Sequence, residues 1–247
     1  MKTILRTNAI PVYSFLSFIN AKQQEGELGK KIKILDCGAG GPVPPLALFY
    51  EHVFEVWGID ISDQQLELAK QFCAKREMQI NLQKADMRQI PFDDESFDCV
   101  YEHYSMCHLS KNDTKKAISE MRRVTIKNGF AFLGLISMDS WPKSLFGNEQ
   151  KHRADNSKKD KNDPGFHCLL SDEDADELVA EWEIVSKEKH TKYLRETANS
   201  TSLDTWMQLY NEEKNKYTRE SWHQLYHTRL SRFNYTHIFY FLKNSRY

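Results

Sequence analysis

The chain has 247 residues, 40% of them hydrophobic and 12% aromatic, with 34 Lys/Arg against 35 Asp/Glu and a net charge of −1. That length suits one large domain, or one domain with a sizeable insertion, and the charge balance excludes a strongly basic nucleic-acid binder while leaving room for a local patch. No apolar run reaches the roughly 18 residues of a membrane span, and Lys2, Arg6 and Asn8 interrupt the apolar N-terminus, so neither a span nor a signal peptide is expected and a cytoplasmic location is the default.

Apolar positions at Val12, Phe15, Leu16 and Ile19 predict a helix over 9–25. A β-rich run at 31–36 ends at glycines, a helix over 46–53 starts from Pro44-Pro45, and a second strand covers 54–60. Ser62 is the expected N-cap of a helix over 62–77 with a stripe of Leu66, Ala69 and Phe72. Strands at 78–86, 97–103 and 130–137, with a helix at 113–124, complete an alternation that implies right-handed βαβ units and a mostly parallel sheet. Residues 147–165 are polar and turn-rich and predict a long loop. A helix (171–181), a strand (183–189) and an aromatic, charged stretch (190–232) follow, and a last strand over 236–244 is expected as an edge partner.

The five cysteines, Cys37, Cys73, Cys99, Cys107 and Cys168, are scattered and contain no C-x-x-C pair. Their spacing gives neither a disulfide framework nor a zinc site, and no metal is expected.

The stretch "ILDCGAGGP" (34–42) carries the chemistry. The dinucleotide fingerprint G-x-G-x-x-G fits Gly38 and Gly40 and fails at Val43. What fits is acid-x-Gly-x-Gly at a strand end, with Asp36, Gly38 and Gly40. Glycines let backbone approach a ligand without a Cβ clash. The following helix N-terminus favours an anion, whereas the acid repels a pyrophosphate. Asp60, closing the second strand, is placed to accept bonds from two ribose hydroxyls, and Asp86 follows the third strand in "KADMRQIPFDDESFD". Each has a plain alternative: Gly38 and Gly40 as a tight turn, Asp36 and Asp60 as helix caps, Asp86 as a solvated loop acid.

Three acids after three successive strands, with "IPFDDESFDCVY" and "MRRVTIKNGFAFLGLIS" beyond them, resemble the class I S-adenosylmethionine-dependent methyltransferases over residues 30–137. The third glycine of the family's motif falls at Pro42, with Gly41 one position earlier. The resemblance implies an α/β, Rossmann-like, seven-stranded mostly parallel sheet with helices on both faces and the last strand antiparallel. It implies S-adenosylmethionine as cofactor, held by Asp36, Gly38, Ala39, Gly40, Asp60, Ile61, Asp86, Met87 and Glu102. Asp36 would lie near the ammonium end, Asp60 on the ribose, and Asp86 with the Met87 backbone on the adenine.

Methyl transfer is an in-line displacement, so alignment is the main requirement. "YEHYSMCH" (101–108) leaves the fourth strand at the carboxyl edge, which makes Glu102, His103, Tyr104 and His108 candidates to line the transfer site, with His103 or His108 as a base. Packing and turn capping are the plain readings of the same residues. His167 either swings over the site or stays on the surface. An [DN]-P-P-[YF] motif, frequent among methylases of exocyclic or amide nitrogens, is replaced here by "YEHY".

The expectation is one domain over 1–247, with a helical lid at 1–29, a cofactor-binding core at 30–137 and a helical, aromatic insertion at 190–232. Its expected function is methylation of a small-molecule acceptor. An RNA or protein methylase and a binding protein without activity remain as alternatives. In 187–232 Lys and Arg outnumber the acids, and Trp206, Tyr210, Tyr217, Trp222 and Tyr226 are interleaved, which suits a lid, base stacking or burial against the sheet. The oligomeric state is left open.

Overall fold

The computed structural model describes residues 10–140, 167–193 and 234–245. Its elements run α1 (Ile10–Gln24), β1 (Lys33–Cys37), α2 (Leu46–Glu51), β2 (Glu55–Asp60), α3 (Asp63–Ala74), β3 (Asn81–Lys84), β4 (Phe97–His103), a 3₁₀ turn (Met106–His108), α4 (Lys111–Val124), β5 (Thr125–Ser137), β6 (Leu169–Leu170), α5 (Asp172–Leu178), β7 (Glu183–Tyr193) and β8 (Asn234–Lys243). The strands form one sheet in the order β3-β2-β1-β4-β5-β8-β7, with the short β6 also paired to β5. Neighbours from β3 to β5 are parallel, and β8 is antiparallel to both β5 and β7. Among the described residues no helix is long and apolar enough to cross a membrane.

Period-two alternation divides the strands between two cores. Ile34, Tyr101, Phe130 and Phe132 face α1 and α2, while Leu35, Val100, Ala131 and Leu133 face α4 and α5. Strands buried on both faces read as continuous apolar runs, which is why β4 and β5 were legible from sequence. Three helices start from serine caps: Ser62, Ser110 and Ser171 accept from the backbone N–H of Gln65, Asp113 and Asp174.

The structure departs from the sequence reading in three places. The last strand is not an edge: β8 lies between β5 and β7. Its residues Ile238, Phe239, Tyr240, Phe241 and Leu242 are all buried, so both flanks need partners. The edge falls to β7, where Lys187, Glu188 and Lys189 discourage further pairing. The strand expected over 130–137 begins earlier, at Thr125, and its pairing with β4 shifts register before Phe130. There Asn128 takes φ 62°, and a Cβ on Gly129 would stand 2.6 Å from the Asp98 carbonyl oxygen. Finally, α1 was expected as part of a lid. Its Val12, Phe15, Leu16 and Ile19 pack on the aromatic face of β4, β5 and β8, where Phe15 meets the rings of Tyr101, Phe132 and Phe241. The loop at 147–165 and residues 194–232 of the aromatic insertion lie outside the described residues, and the RNA alternative rests on that insertion.

Candidate functional site

Strand order reverses between β1 and β4, since β2 and β3 lie on one side and β5 on the other. In open α/β sheets ligands bind outside the strand carboxyl ends at such a point. The turn after β1 sits there. Gly38 and Gly41 have φ of 103° and 100°, a region open to glycine and costly for other residues. Gly41 thus supplies the left-handed residue one position ahead of Pro42. The N–H groups of Gly38 and Ala39 donate to the Ile59 carbonyl at 2.8 and 2.9 Å, tying the turn to β2.

The carboxylate of Asp60 holds both neighbouring turns. Oδ2 accepts from Gly40 N at 3.0 Å and Oδ1 from Ser62 N at 2.8 Å. A Cβ on Gly40 would lie 2.5 Å from Asp60 Oδ2, and one on Gly38 would lie 1.9 Å from Ser105 Oγ. The glycine turn is therefore wedged between the end of β2 and the segment after β4, and bare backbone is what lets it fit. Ala39 is buried and Ile61 exposed.

Two buried acids flank this turn. Asp36 Oδ2 accepts from Leu46 N at 3.1 Å, capping a helix whose own N-cap, Pro45, offers no side-chain bond. Glu102 Oε1 accepts from Ser105 N at 2.8 Å and Met106 N at 2.7 Å. Its Oε2 is buried without a hydrogen-bonding partner. Burial, with smaller contributions from Glu102 and Asp60, pushes the Asp36 carboxyl well above the ordinary range. Burial pushes Glu102 up to about 7, against the pull of the Met106, Ser105 and Gly134 amides. Two desolvated carboxyls side by side favour a nearby cation, which would restore their charged forms.

Asp86 stands after β3 as expected, but it is engaged. Arg88 Nε reaches both its oxygens at 3.0 Å, Nη2 reaches Oδ2 at 2.6 Å, and Arg88 N donates to Oδ1 at 2.8 Å. The Arg88 guanidinium holds its carboxyl below the ordinary range and also pairs with Asp113 at 3.1 Å. Arg88 was not singled out in the sequence, although its place two residues after an acid was a visible signal. Met87 is half-buried and packs on the core.

On the acceptor side, His103 lies 4.1 Å from the Tyr104 ring and 5.6 Å from both His237 and Phe239, centroid to centroid. Its Nε2 is buried without a hydrogen-bonding partner. Burial, with His237 adding to it, pushes its pKa down to about 3, so the ring is neutral at physiological pH and a weak base. Tyr104 is half exposed with φ 74°, and a bulky residue in that region marks stored strain of about 1–3 kcal/mol. His237 comes from β8, some 130 residues along, and no local pattern announced it. His108 is exposed on the 3₁₀ turn, away from this group, with its ring 4.6 Å from that of His167.

Residues 35–133 match a family described as a methyltransferase domain. Over 98 residues the chain is 33% identical to the uncharacterized methyltransferase YcgJ of Bacillus subtilis (strain 168), covering 39% of this chain and 38% of that protein. It is 33% identical over 106 residues to cycloartenol-C-24-methyltransferase of Arabidopsis thaliana, covering 42% and 30%. Against the O-methyltransferase cnsE of Penicillium expansum it is 36% identical over 98 residues, covering 39% and 34%. The matched stretch thus spans less than two fifths of each of these relatives. The fold extends further. A proposed methyltransferase from Bacillus halodurans C-125 superposes with a TM-score of 0.63 at 19% identity, over 93% of this chain and 100% of that one. The YcgJ structure gives 0.58 at 16% identity, over 92% and 97%.

Proposed function

We propose that this chain is a class I S-adenosylmethionine-dependent methyltransferase, a reading supported by the match of residues 35–133 to a methyltransferase domain, and that it methylates a small-molecule acceptor, mainly by proximity and orientation. The observation that carries the cofactor side is the pair of buried acids, Asp36 and Glu102, beside a glycine turn at the strand switch point. When bound, S-adenosylmethionine supplies a methyl group on a positively charged sulfur. The residues fit it. Two cationic groups, the sulfonium and the α-ammonium, suit a crevice with two desolvated carboxyls, one of them with an orphaned oxygen. A pyrophosphate does not. Each Asp60 oxygen accepts one amide and keeps a further lone pair, enough for two vicinal hydroxyls. Asp86 has its acceptor positions filled by Arg88, so its contact with an adenine amino group requires that side chain to turn away.

His103, Tyr104 and Glu102 are the residues we assign to the acceptor side. Neutral His103 offers its buried Nε2 as a hydrogen-bond acceptor that orients an acceptor hydroxyl or amine rather than as a strong base. Orientation of this kind is worth up to about 7–11 kcal/mol of a barrier. The family's sterol and O-methyl members support a small acceptor.

Calorimetry tests the reading. The protein should bind S-adenosylmethionine and S-adenosylhomocysteine and ignore NAD; tight NAD binding without response to either would sink it. A cation beside Asp36 and Glu102 favours their charged forms and lowers both pKa values. Binding of S-adenosylmethionine near pH 7 should therefore release protons, and the measured heat should change with the buffer's ionisation enthalpy. Equal heats in phosphate and Tris would remove the acid pair from the binding site.

Asp60 is tested with asparagine, which keeps one of the two oxygens that accept from Gly40 and Ser62, whereas alanine would remove both. Asp60→Asn should weaken cofactor binding by about 1.5–3 kcal/mol, roughly 10- to 150-fold. Unaltered affinity in the folded variant refutes the ribose assignment.

A further inference from the structure

The 3₁₀ turn after β4 and the segment entering β6 bring two neighbouring side chains together with a third about 60 residues further along the chain. Cys107 offers Sγ, and His108 and His167 each offer a ring nitrogen, with all three atoms within 4.8 Å of one another. We propose that Cys107, His108 and His167 bind a divalent transition-metal ion of the zinc class, with a fourth coordination position open to a small thiol.

The backbone around the three ligands is already fixed. Cys168 N–H donates to the Cys107 carbonyl at 2.7 Å, clamping the two segments beside each other. Cys107 and Ile136 form a small apolar cluster with Leu169 packed on it. At the other end of the turn, Met106 is fully buried and its amide is held by Glu102. Zinc takes sulfur at about 2.3 Å and imidazole nitrogen at about 2.0–2.1 Å, which sets tetrahedral ligand atoms about 3.5 Å apart. Closing from at most 4.8 Å to that spacing is a shift of little more than about 1 Å, and His108 is exposed.

The donor set decides the class of ion. One thiolate and two imidazoles suit zinc, cobalt or copper, whereas magnesium and calcium require oxygen ligands. As a ligand the Cys107 sulfur gives up its proton, and with it the bond it now donates to the Tyr104 carbonyl at 3.1 Å. Three protein ligands with one position left over is the pattern of a site that exchanges its fourth ligand. The site stands on the carboxyl edge of β4, on the same segment as His103 and Tyr104. Metal binding itself does not depend on the methyl-transfer reading; use of the fourth position by an acceptor thiol does.

The test uses the full chain without a histidine tag, stripped with a chelator and titrated with Co(II). One equivalent should bind, with a thiolate-to-cobalt charge-transfer band in the near ultraviolet that zinc abolishes. Cys107→Ser should lose the band, and His108→Ala and His167→Ala should lose stoichiometric binding, while Cys168→Ser keeps both. Adding 2-mercaptoethanol to the cobalt form should strengthen the band. Absence of the band in the parent chain, or its survival in Cys107→Ser, overturns the site. A band indifferent to the added thiol overturns the open position. S-adenosylhomocysteine calorimetry on the same samples separates the two readings: cofactor binding without cobalt binding sinks only the metal site, and the reverse sinks only the methyltransferase reading.

Discussion

Replacing Glu102 by glutamine should stabilise the ligand-free protein at pH 8 while weakening its grip on S-adenosylmethionine. Glu102 is fully buried, and its pKa rises from 4.5 to about 7 on folding, chiefly through burial. Between those values the folded state binds more protons than the unfolded one, so stability falls as pH rises, and the whole penalty is present above pH 7. A shift of that size corresponds to about 3 kcal/mol. That is a ceiling, because glutamine places an unpaired N–H₂ where Oε2 now lies, at a cost of about 1–3 kcal/mol. His103 works the other way: its pKa falls from 6.5 to about 3 on folding, so its contribution is lost as pH falls through that range. The two slopes oppose each other between pH 4.5 and 6.5 in the parent protein. Urea unfolding of parent and variant from pH 5 to 8 isolates Glu102 in the difference, which should grow with pH in favour of the variant. Cofactor affinity should fall by about two orders of magnitude if the carboxylate answers a buried cation, a charge-assisted contact of about 3 kcal/mol. A variant that is less stable at pH 8 and binds the cofactor unchanged would show that Glu102 serves only the turn at Ser105–Met106.

Phe15→Ala should cost about 3–5 kcal/mol of folding stability, the scale for deleting a buried aromatic side chain. Phe15 is fully buried, and its ring centroid lies 5.5 Å from Phe132, 5.9 Å from Tyr101 and 6.2 Å from Phe49. A helix that only roofed a ligand site would lose far less. Denaturant unfolding at unchanged m value measures it, and a shift below about 0.5 kcal/mol, the range of a surface substitution, would remove α1 from the core. Cofactor affinity in the surviving folded fraction should stay close to the parent value.

The positions of the acids were legible from local pattern. An apolar run ends where a strand leaves the sheet, so Asp36 and Asp60 had to sit at strand carboxyl ends, and the spacing of glycines after Asp36 fixed a turn of bare backbone. Ser62 announced its helix by the same short-range logic, and "FDCVYEH" gave β4 to the residue. These readings depend on atoms within a few residues of one another, which is the range over which periods of 2 and 3.6 carry information.

Tertiary structure decided what those residues do. It placed β8 inside the sheet, filled the acceptor positions of Asp86 with Arg88, and surrounded His103 with His237 and Phe239 from the far end of the chain, turning a candidate base into a neutral, desolvated ring. It also closed Cys107 and His108 onto His167, a set whose spacing of about 60 residues matches no ligand motif. Titration and coordination depend on burial and on charges a few ångströms away in space, and which parts of the chain meet there is settled by strand pairing and packing over long separations, not by the order of neighbouring residues.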